Sequence, residues 1–298
     1  MARRIELIAG KEAEGRKLAS YLKSRIGISS ALLTQLKKRP EGISVNGKNA
    51  YTNYILSAED RIVLEVPSLF SERKQESNIA PVPHPDVSIV AQDEDFVVLD
   101  KPAGMPVHPS RAHLYDTLAN GFLALFPDHV YHPITRLDSD TSGLVLVATN
   151  MYAANVDRMA VTRLYYGITD RPVHFFRCRF DAPIEREEPF SPKRMVRPDG
   201  KPAVTHAFCL AKQGGLSLLA FRLETGRTHQ IRVHCAHAGI PLCGDTLYGG
   251  TPLINRQALH AARLAVRNPV TGKVLKAQSP LPSDMAALWE EACSPSTL

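Results

Sequence analysis

The residues that could perform chemistry are concentrated in one short segment, residues 134–147 of this 298-residue chain. At its centre, Arg136, Asp138 and Asp140 place one guanidinium and two carboxylates within five positions, and Thr-Ser-Gly follows. Residues 144–147 form an apolar, β-branched run of the kind found in buried strands. We therefore predict that the acidic side chains lie on a turn at the end of a core strand, where loops on a rigid scaffold commonly carry function.

The two carboxylates allow three interpretations from the residues alone. A calcium loop needs a bidentate Glu at its twelfth position, and Thr149 occupies that position, so calcium is excluded. A carboxylate pair could also act on a glycosidic bond, one member as nucleophile and the other as acid. Asp138 and Asp140 could approach each other on a turn, so this interpretation stays open. The third is a turn whose Asp and Ser side chains bond to their own backbone.

A second polar segment, residues 223–234, contains Thr-Gly-Arg-Thr-His-Gln-Ile-Arg-Val-His. Its alternation predicts a strand with polar residues on one face and apolar residues on the other. These two sets are Gln230, Arg232 and His234, and Ile231 and Val233. On such a strand His229 and His234 point to opposite faces, and no metal-ligand spacing occurs, so we predict no metal site.

Composition narrows the class of protein. The apolar content is 44%, and no apolar run approaches the ~20 residues that span a bilayer. The N-terminus lacks the apolar core of a secretion signal. The five cysteines are odd in number and form no Cys-x-x-Cys pair, which argues against a disulfide framework or structural zinc. We expect a soluble, cytoplasmic, monomeric protein.

Positive charge is concentrated near the N-terminus. Residues 1–66 contain twelve Lys/Arg and seven Asp/Glu, a net +5 of the total +6. Such localised charge predicts a polyanionic partner whose binding weakens as salt rises. We assign contact with this partner to basic residues that end a predicted second helix or lie in a predicted hairpin: Lys37, Lys38, Arg39 and Lys48.

The elements before residue 67 are short. Apolar spacing predicts a helix over residues 15–26, and Ser29 or Ser30 can cap a second helix that Pro40 stops. Asn46-Gly47 predicts a hairpin, and residues 61–66 predict a further strand. Residues 42–48 also fit a phosphate-binding loop, but Asn49 stands where a Ser or Thr should bind magnesium, so nucleotide binding receives little weight.

The segment around Asp138 closely resembles the signature His-Arg-Leu-Asp-x-x-Thr-Ser-Gly-Leu of the RluA family of RNA pseudouridine synthases, with Thr135 in place of the His. The resemblance covers roughly residues 88–290. Three further segments carry it: Lys101-Pro-Ala-Gly-Met-Pro-Val-His, Arg163-Leu-Tyr165-Tyr-Gly in place of Lys-x-Tyr-x-Ala, and Thr225-Gly-Arg-Thr-His-Gln-Ile-Arg-Val-His.

The resemblance implies an α+β fold: a mixed, mostly antiparallel central sheet with flanking helices and loops. The N-terminal part resembles the small α+β RNA-binding domain named after ribosomal protein S-four. We therefore expect this RNA-binding domain over residues 1–67, a polar, Pro-containing linker over 68–86, and a catalytic domain over 87–298.

The resemblance also implies an activity, the isomerisation of uridine to pseudouridine in RNA without a cofactor. It implies Asp138, Tyr165 and Arg232 as catalytic residues. The expected substrate-binding residues are Arg136, Ile231, Arg227 and Lys101, with Lys101 acting through pairing and packing. Ribosomal RNA is favoured over transfer RNA because of the N-terminal part. Two alternatives remain: a catalytically silent RNA-binding protein or chaperone on the same fold, and a glycosylase or nucleoside hydrolase that uses both carboxylates.

Overall fold

A computed structural model describes residues 3–66, 79–157, 160–268 and 270–293. The α-helices in these ranges are α1 (Leu18–Ile26), α2 (Ser30–Leu36), α3 (Leu118–Leu125), α4 (Gln230–His237) and α5 (Ser283–Cys293). The strands before residue 150 are β1 (Arg3–Ile8), β2 (Ile43–Val45), β3 (Lys48–Asn49), β4 (Arg61–Val66), β5 (Ser88–Gln92), β6 (Phe96–Lys101), β7 (His132–Pro133) and β8 (Ser142–Ala148). The later strands are β9 (Val161–Thr169), β10 (Arg177–Asp181), β11 (Ile184–Arg186), β12 (Arg194–Val196), β13 (Val204–Gln213), β14 (Leu216–Leu223), β15 (Leu259–Arg267) and β16 (Val274–Gln278).

The N-terminal elements form a four-stranded sheet, in the order β1-β4-β2-β3, that packs with α1 and α2 around its own apolar core. Ser29 caps α2, because its Oγ accepts a hydrogen bond from the backbone N–H of Leu32 at 3.1 Å. Asn46 and Gly47 have φ values of 52° and 76°, as a two-residue hairpin of this twist requires. The sequence analysis did not predict β1, in which Ile5 is the one buried residue of six.

Contacts of Tyr152 and Arg3 help to join this N-terminal part to the rest of the chain. Tyr152 packs into the N-terminal core, and its hydroxyl donates to the carbonyl oxygen of Ile26 at 2.6 Å. Arg3 Nε donates to Asp95 Oδ1 at 3.1 Å. Residues 68–78 of the predicted linker lie outside the described residues, so the domain boundaries stay a prediction.

The larger sheet has ten strands, eight of them in the order β10-β13-β14-β9-β15-β8-β6-β5. β16 pairs with β15, and β7 pairs with β8. Every pair is antiparallel except β15 with β8. The predicted mixed, mostly antiparallel sheet is thus confirmed. β8 is buried along its whole length, as its uninterrupted apolar run predicts for a strand covered on both faces.

One predicted element is wrong. Residues 230–234 belong to helix α4, so the division into two strand faces does not hold. The β-branched residues Ile231 and Val233 favour a strand locally, but tertiary contacts decide otherwise. The Gln230 side chain accepts a hydrogen bond from the backbone N–H of Arg227 at 2.9 Å and donates to the Val204 carbonyl at 3.0 Å, which fixes the start of a helix.

Candidate active site

Asp138 lies on the loop that leads into β8, as predicted, and its side chain is 27% exposed. Strand β8, which follows this loop, approaches β15 very closely at Gly143. This glycine has a φ of 110°, and a Cβ there would collide with backbone atoms of Ala261. The close approach of two parallel strands therefore fixes the end of the loop that carries Asp138.

Four buried side chains hold this loop in place. Each forms a hydrogen bond to one of the four successive residues 139–142. The contacts are Lys101 Nζ to Ser139 O (2.7 Å), Arg256 Nη1 to Asp140 O (3.3 Å), Gln257 Nε2 to Thr141 Oγ1 (3.1 Å) and Ser142 Oγ to His260 Nδ1 (3.0 Å). Arg256 is in turn held by Asp284 of α5, through Nε at 2.6 Å and Nη2 at 2.8 Å. The backbone beside Asp138 is thus attached to β6, to the segment before β15 and to the C-terminal helix.

Lys101 is expected from its motif to support the site, and it lies behind the loop. Its ammonium donates to three carbonyl oxygens, those of Pro102 (2.8 Å), Met105 (2.7 Å) and Ser139 (2.7 Å). Burial lowers the pKa of Lys101 to about 7, although the nearby carboxylates of Asp140 and Asp138 act in the opposite direction. The arrangement ties two loops together.

Arg232 comes from the first turn of α4 and reaches Asp138, with its Nη1 3.2 Å from Asp138 Oδ2. Its other two nitrogens bind Asp245, Nε to Oδ2 at 2.8 Å and Nη2 to Oδ1 at 2.7 Å. The guanidinium also lies 5.0 Å from the ring centroid of Tyr248. Although burial acts against the charged form, these two carboxylates raise the pKa of Arg232. One buried cation therefore serves two carboxylates.

A cavity of about 600 Å³ opens beside Asp138, and a smaller one of about 60 Å³ adjoins it. Six of the seven predicted site residues of this region line them. Arg136, Asp138, Tyr165 and Arg227 line both cavities, and Ile231 and Arg232 line the smaller one. Lys101 is the exception. The larger volume is within the range of small-molecule sites.

Tyr165 projects from β9 and is 5% exposed, and burial raises the pKa of its hydroxyl. Ile231 is 4% exposed. Arg136 and Arg227, in contrast, are exposed at the cavity rim. The site thus combines apolar walls beside the carboxylate with positive charge at its entrance.

Asp140 lines neither cavity, and its side chain is exposed. Asp138 and Asp140 therefore do not form a carboxylate pair around one pocket. Thr135, which stands where the RluA signature has His, is buried, and its hydroxyl accepts from the backbone N–H of Leu146 at 2.9 Å. This hydroxyl supports the strand, and Thr135 also lines the larger cavity.

Sequence reasoning missed Asp245 and Tyr248 as site residues. They lie in the segment Gly244-Asp-Thr-Leu-Tyr-Gly249, which is similar to a further segment of the RluA family but received no site role from the sequence. No local signal assigns them a partner, because the loop that carries them meets α4 only in the folded chain. The basic residues of the N-terminal part lie elsewhere: Lys37, Lys38 and Lys48 are exposed, and Arg39 is half-buried.

Membrane-spanning helices and metal-binding clusters are both absent from the described ranges. None of the helices there combines the length and apolarity needed to cross a bilayer. In the same ranges, no three His, Cys, Asp or Glu side chains are grouped so as to hold a metal ion.

Comparison with known proteins gives a consistent result. Residues 95–237 match the family model described as RNA pseudouridylate synthase. YjbO of Bacillus subtilis, named an uncharacterized RNA pseudouridine synthase, is 37% identical over 278 residues, which cover 88% of this chain and 95% of the relative. Ribosomal large subunit pseudouridine synthase D of Pseudomonas aeruginosa is 39% identical over 228 residues, 68% of this chain and 70% of the relative.

Solved structures agree. Human RNA pseudouridylate synthase domain containing 1 is 25% identical, with a TM-score of 0.55, over 70% of this chain and 95% of that one. The fold and these similarities define the class of protein as an isomerase that acts on RNA. The chain belongs to the RNA pseudouridine synthase family, which confirms the resemblance drawn from the motifs.

Proposed function

We propose that this protein converts uridine to pseudouridine in large-subunit ribosomal RNA, with Asp138 as the catalytic carboxylate. The observation that carries the assignment of Asp138 is its contact with Arg232 at the mouth of a cavity that can admit a nucleobase. The RNA class is supported by relatives named ribosomal large subunit pseudouridine synthase D, which are 34–39% identical to this chain.

The reaction breaks the N1–C1′ bond of uridine, turns the uracil over and joins its C5 to C1′. No atom other than the C5 proton leaves the base. Asp138 starts the reaction, either by attack on C1′ or by removal of a ribose proton, and both routes begin from the ionised carboxylate. Arg232 holds this carboxylate in place, with its Nη1 3.2 Å from Asp138 Oδ2.

The uracil is held between apolar walls. The target base must leave its helix, which costs a few kcal/mol, and stacking on an aromatic ring offsets part of that cost. Tyr165 and Ile231 are the residues that we assign to these contacts, because both are buried and line the cavity that contains Asp138. We also assign the exchange of the C5 proton to the hydroxyl of Tyr165.

Backbone contacts supply further binding energy. Arg136 and Arg227 are exposed at the cavity rim, where they can bind the phosphates on either side of the extruded nucleotide. Farther away, Lys37, Lys38, Arg39 and Lys48 would bind the RNA backbone without regard to sequence. Binding should therefore weaken linearly on a plot of log affinity against log salt, and each phosphate contact that is removed should reduce the slope by about one.

The direct test is tritium release from RNA labelled with 5-³H-uridine. The isomerase releases tritium and leaves an intact strand that contains pseudouridine. A glycosylase leaves an abasic site and free uracil, and a silent RNA-binding protein produces neither. Asp138→Asn should abolish release and leave RNA binding largely unchanged. Asp140→Asn is the matched control, since this carboxylate is two residues away and lines neither cavity.

The RNA class needs a separate comparison. Large-subunit ribosomal RNA, small-subunit ribosomal RNA and transfer RNA should be isolated from cells that lack the protein and offered to the enzyme in parallel. We expect pseudouridine at a defined site of the large-subunit RNA alone. Modification of transfer RNA only would overturn the RNA class while leaving the catalytic assignment intact. An active Asp138→Asn enzyme would overturn that assignment.

A further inference from the structure

His229 stands next to Asp138 but has no role in the reaction as described above. It precedes α4 and has a left-handed backbone conformation, with φ 57° and ψ 18°. Its Nε2 lies 3.8 Å from Asp138 Oδ2, and its Nδ1 lies 2.8 Å from the hydroxyl oxygen of Tyr248. A non-glycine residue in this conformation is uncommon and persists where its surroundings fix it, often at functional sites.

The hydrogen bonds around Tyr248 determine which imidazole nitrogen carries the proton. The Tyr248 hydroxyl oxygen accepts from the backbone N–H of Arg194 at 2.8 Å. Its own hydrogen is therefore free to be donated to His229 Nδ1, which then acts as an acceptor. A neutral imidazole whose Nδ1 accepts must carry its hydrogen on Nε2. Nε2 is the ring nitrogen that lies 3.8 Å from Asp138 Oδ2.

Electrostatics favour the same tautomer. The opposite tautomer would place the Nε2 lone pair against a carboxylate and would leave the Tyr248 hydrogen without this acceptor. The charged groups that act on His229 are Asp138, Arg232, Asp245 and Arg194. Burial lowers the pKa of His229, with the two arginines acting in the same direction and the two carboxylates against it. At neutral pH the ring is therefore neutral.

We propose that His229 is a positioning residue for the catalytic carboxylate, which donates from Nε2 to Asp138 Oδ2 in a tautomer set by Tyr248 and the Arg194 backbone. With Arg232, it gives this oxygen two donors. The separation of 3.8 Å shortens to a hydrogen bond when substrate closes the site, as catalytic contacts commonly do. This inference rests on the proposed role of Asp138.

Two substitutions at the same position separate donation from packing. The amide nitrogen of His229→Gln can reach the place of Nε2 and keep the donor. His229→Asn can reach only the place of Nδ1 and loses it. Asn tolerates the left-handed conformation better than Gln does. Backbone strain alone would therefore make His229→Gln the slower variant, whereas loss of the donor makes His229→Asn the slower one. We expect the single-turnover rate to fall by about tenfold or more in His229→Asn, the effect of one bond to a charged group.

In His229→Gln the rate should stay within about threefold of the wild-type value. RNA affinity and melting temperature should change little in either variant. The control is His206→Asn, since His206 also pairs with a carboxylate, Glu224 at 2.5 Å, but lines neither cavity. Equal rates for the Asn and Gln variants, with wild-type melting temperatures, would overturn the proposal.

A direct measurement reads the tautomer of His229 in the wild-type enzyme. Nitrogen-15 NMR of the imidazoles, with His229 assigned by its loss in His229→Asn, should show Nε2 protonated and Nδ1 unprotonated at neutral pH. Tyr248→Phe should weaken this preference while keeping the ring beside Arg232. An Nδ1–H tautomer in the wild-type enzyme refutes the inference. Tritium release that survives in Asp138→Asn overturns the catalytic assignment of Asp138 instead, so the two failures are distinguishable.

Discussion

The pairing of Arg232 with Asp245 allows a quantitative prediction for Asp245→Asn. Asp245 is 1% exposed and binds two guanidinium nitrogens at 2.7 and 2.8 Å. Removing one partner of a buried ion pair costs about 3–5 kcal/mol, because the other charge is left without compensation. Arg232 keeps its contact with Asp138 in this variant, so we expect a loss near the lower limit, about 3 kcal/mol in the free energy of unfolding.

Urea unfolding and thermal scans measure this loss. At about 2–4 °C per kcal/mol for a chain of this size class, the melting temperature should fall by roughly 6–12 °C. The rate of tritium release should also fall, because the guanidinium is no longer fixed beside Asp138. The Michaelis constant for RNA should stay nearly constant, since Asp245 lines neither cavity.

Asp199→Asn provides the matched control. Arg197 binds Asp199 with the same two-nitrogen geometry, at 2.9 and 2.7 Å, but these side chains are 39% and 63% exposed. Water screens such a pair, so its loss should cost less than about 1 kcal/mol. If Asp245→Asn also lowers the free energy of unfolding by less than about 1 kcal/mol and retains the wild-type rate, the buried pair of Arg232 and Asp245 does not stabilise the site.

Three further predictions concern the scaffold. Because burial lowers the pKa of Lys101 to about 7, the folded protein binds fewer protons than the unfolded chain above that pH. The stability of wild type relative to Lys101→Met should therefore rise by up to ~1.4 kcal/mol per pH unit between about pH 7 and pH 10, and urea titrations showing a constant difference would contradict this. Gly143→Ala should lower the free energy of unfolding by about 3 kcal/mol or more, because the new Cβ collides with Ala261. Gly215→Ala, at a positive φ in open space, should lower it by only about 1–2 kcal/mol. Equal melting temperatures of the two variants would refute the collision. Tyr152→Phe leaves the last carbonyl of α1 without its donor, so hydrogen exchange in α1 should accelerate by a factor of about five to ten, and unchanged exchange would exclude a role in docking.

Local chemistry was enough to predict many elements. The serine before α2, the Asn46-Gly47 hairpin and the continuous apolar run of β8 each depend on residues close together in the chain, and the structure has all three. The motif around Asp138 was enough to indicate the family, which the relatives confirm. The RNA-binding role of the N-terminal part stays a prediction.

The segment at residues 230–234 shows where local reasoning fails. Apolar residues over such a short stretch are compatible with a strand or a helix, and their alternation favours the strand that the sequence analysis predicts. The side chain of Gln230 decides the outcome through contacts with Val204 and Thr205, about 25 residues away. The expected contact between Arg232 and Asp138 is nevertheless present, because the first turn of the helix directs the Arg232 side chain to Asp138.

The sequence by itself determined the family, the residue types of the site and most local elements, because turns, caps and apolar runs act between near neighbours. Only the tertiary structure decided how the site is held. Arg232 meets Asp138 across 94 positions of chain, and Gln257 meets Thr141 across 116. The sharing of one guanidinium between Asp138 and Asp245, and the tautomer of His229, depend on where these distant segments come together when the core forms, and no local pattern records that position.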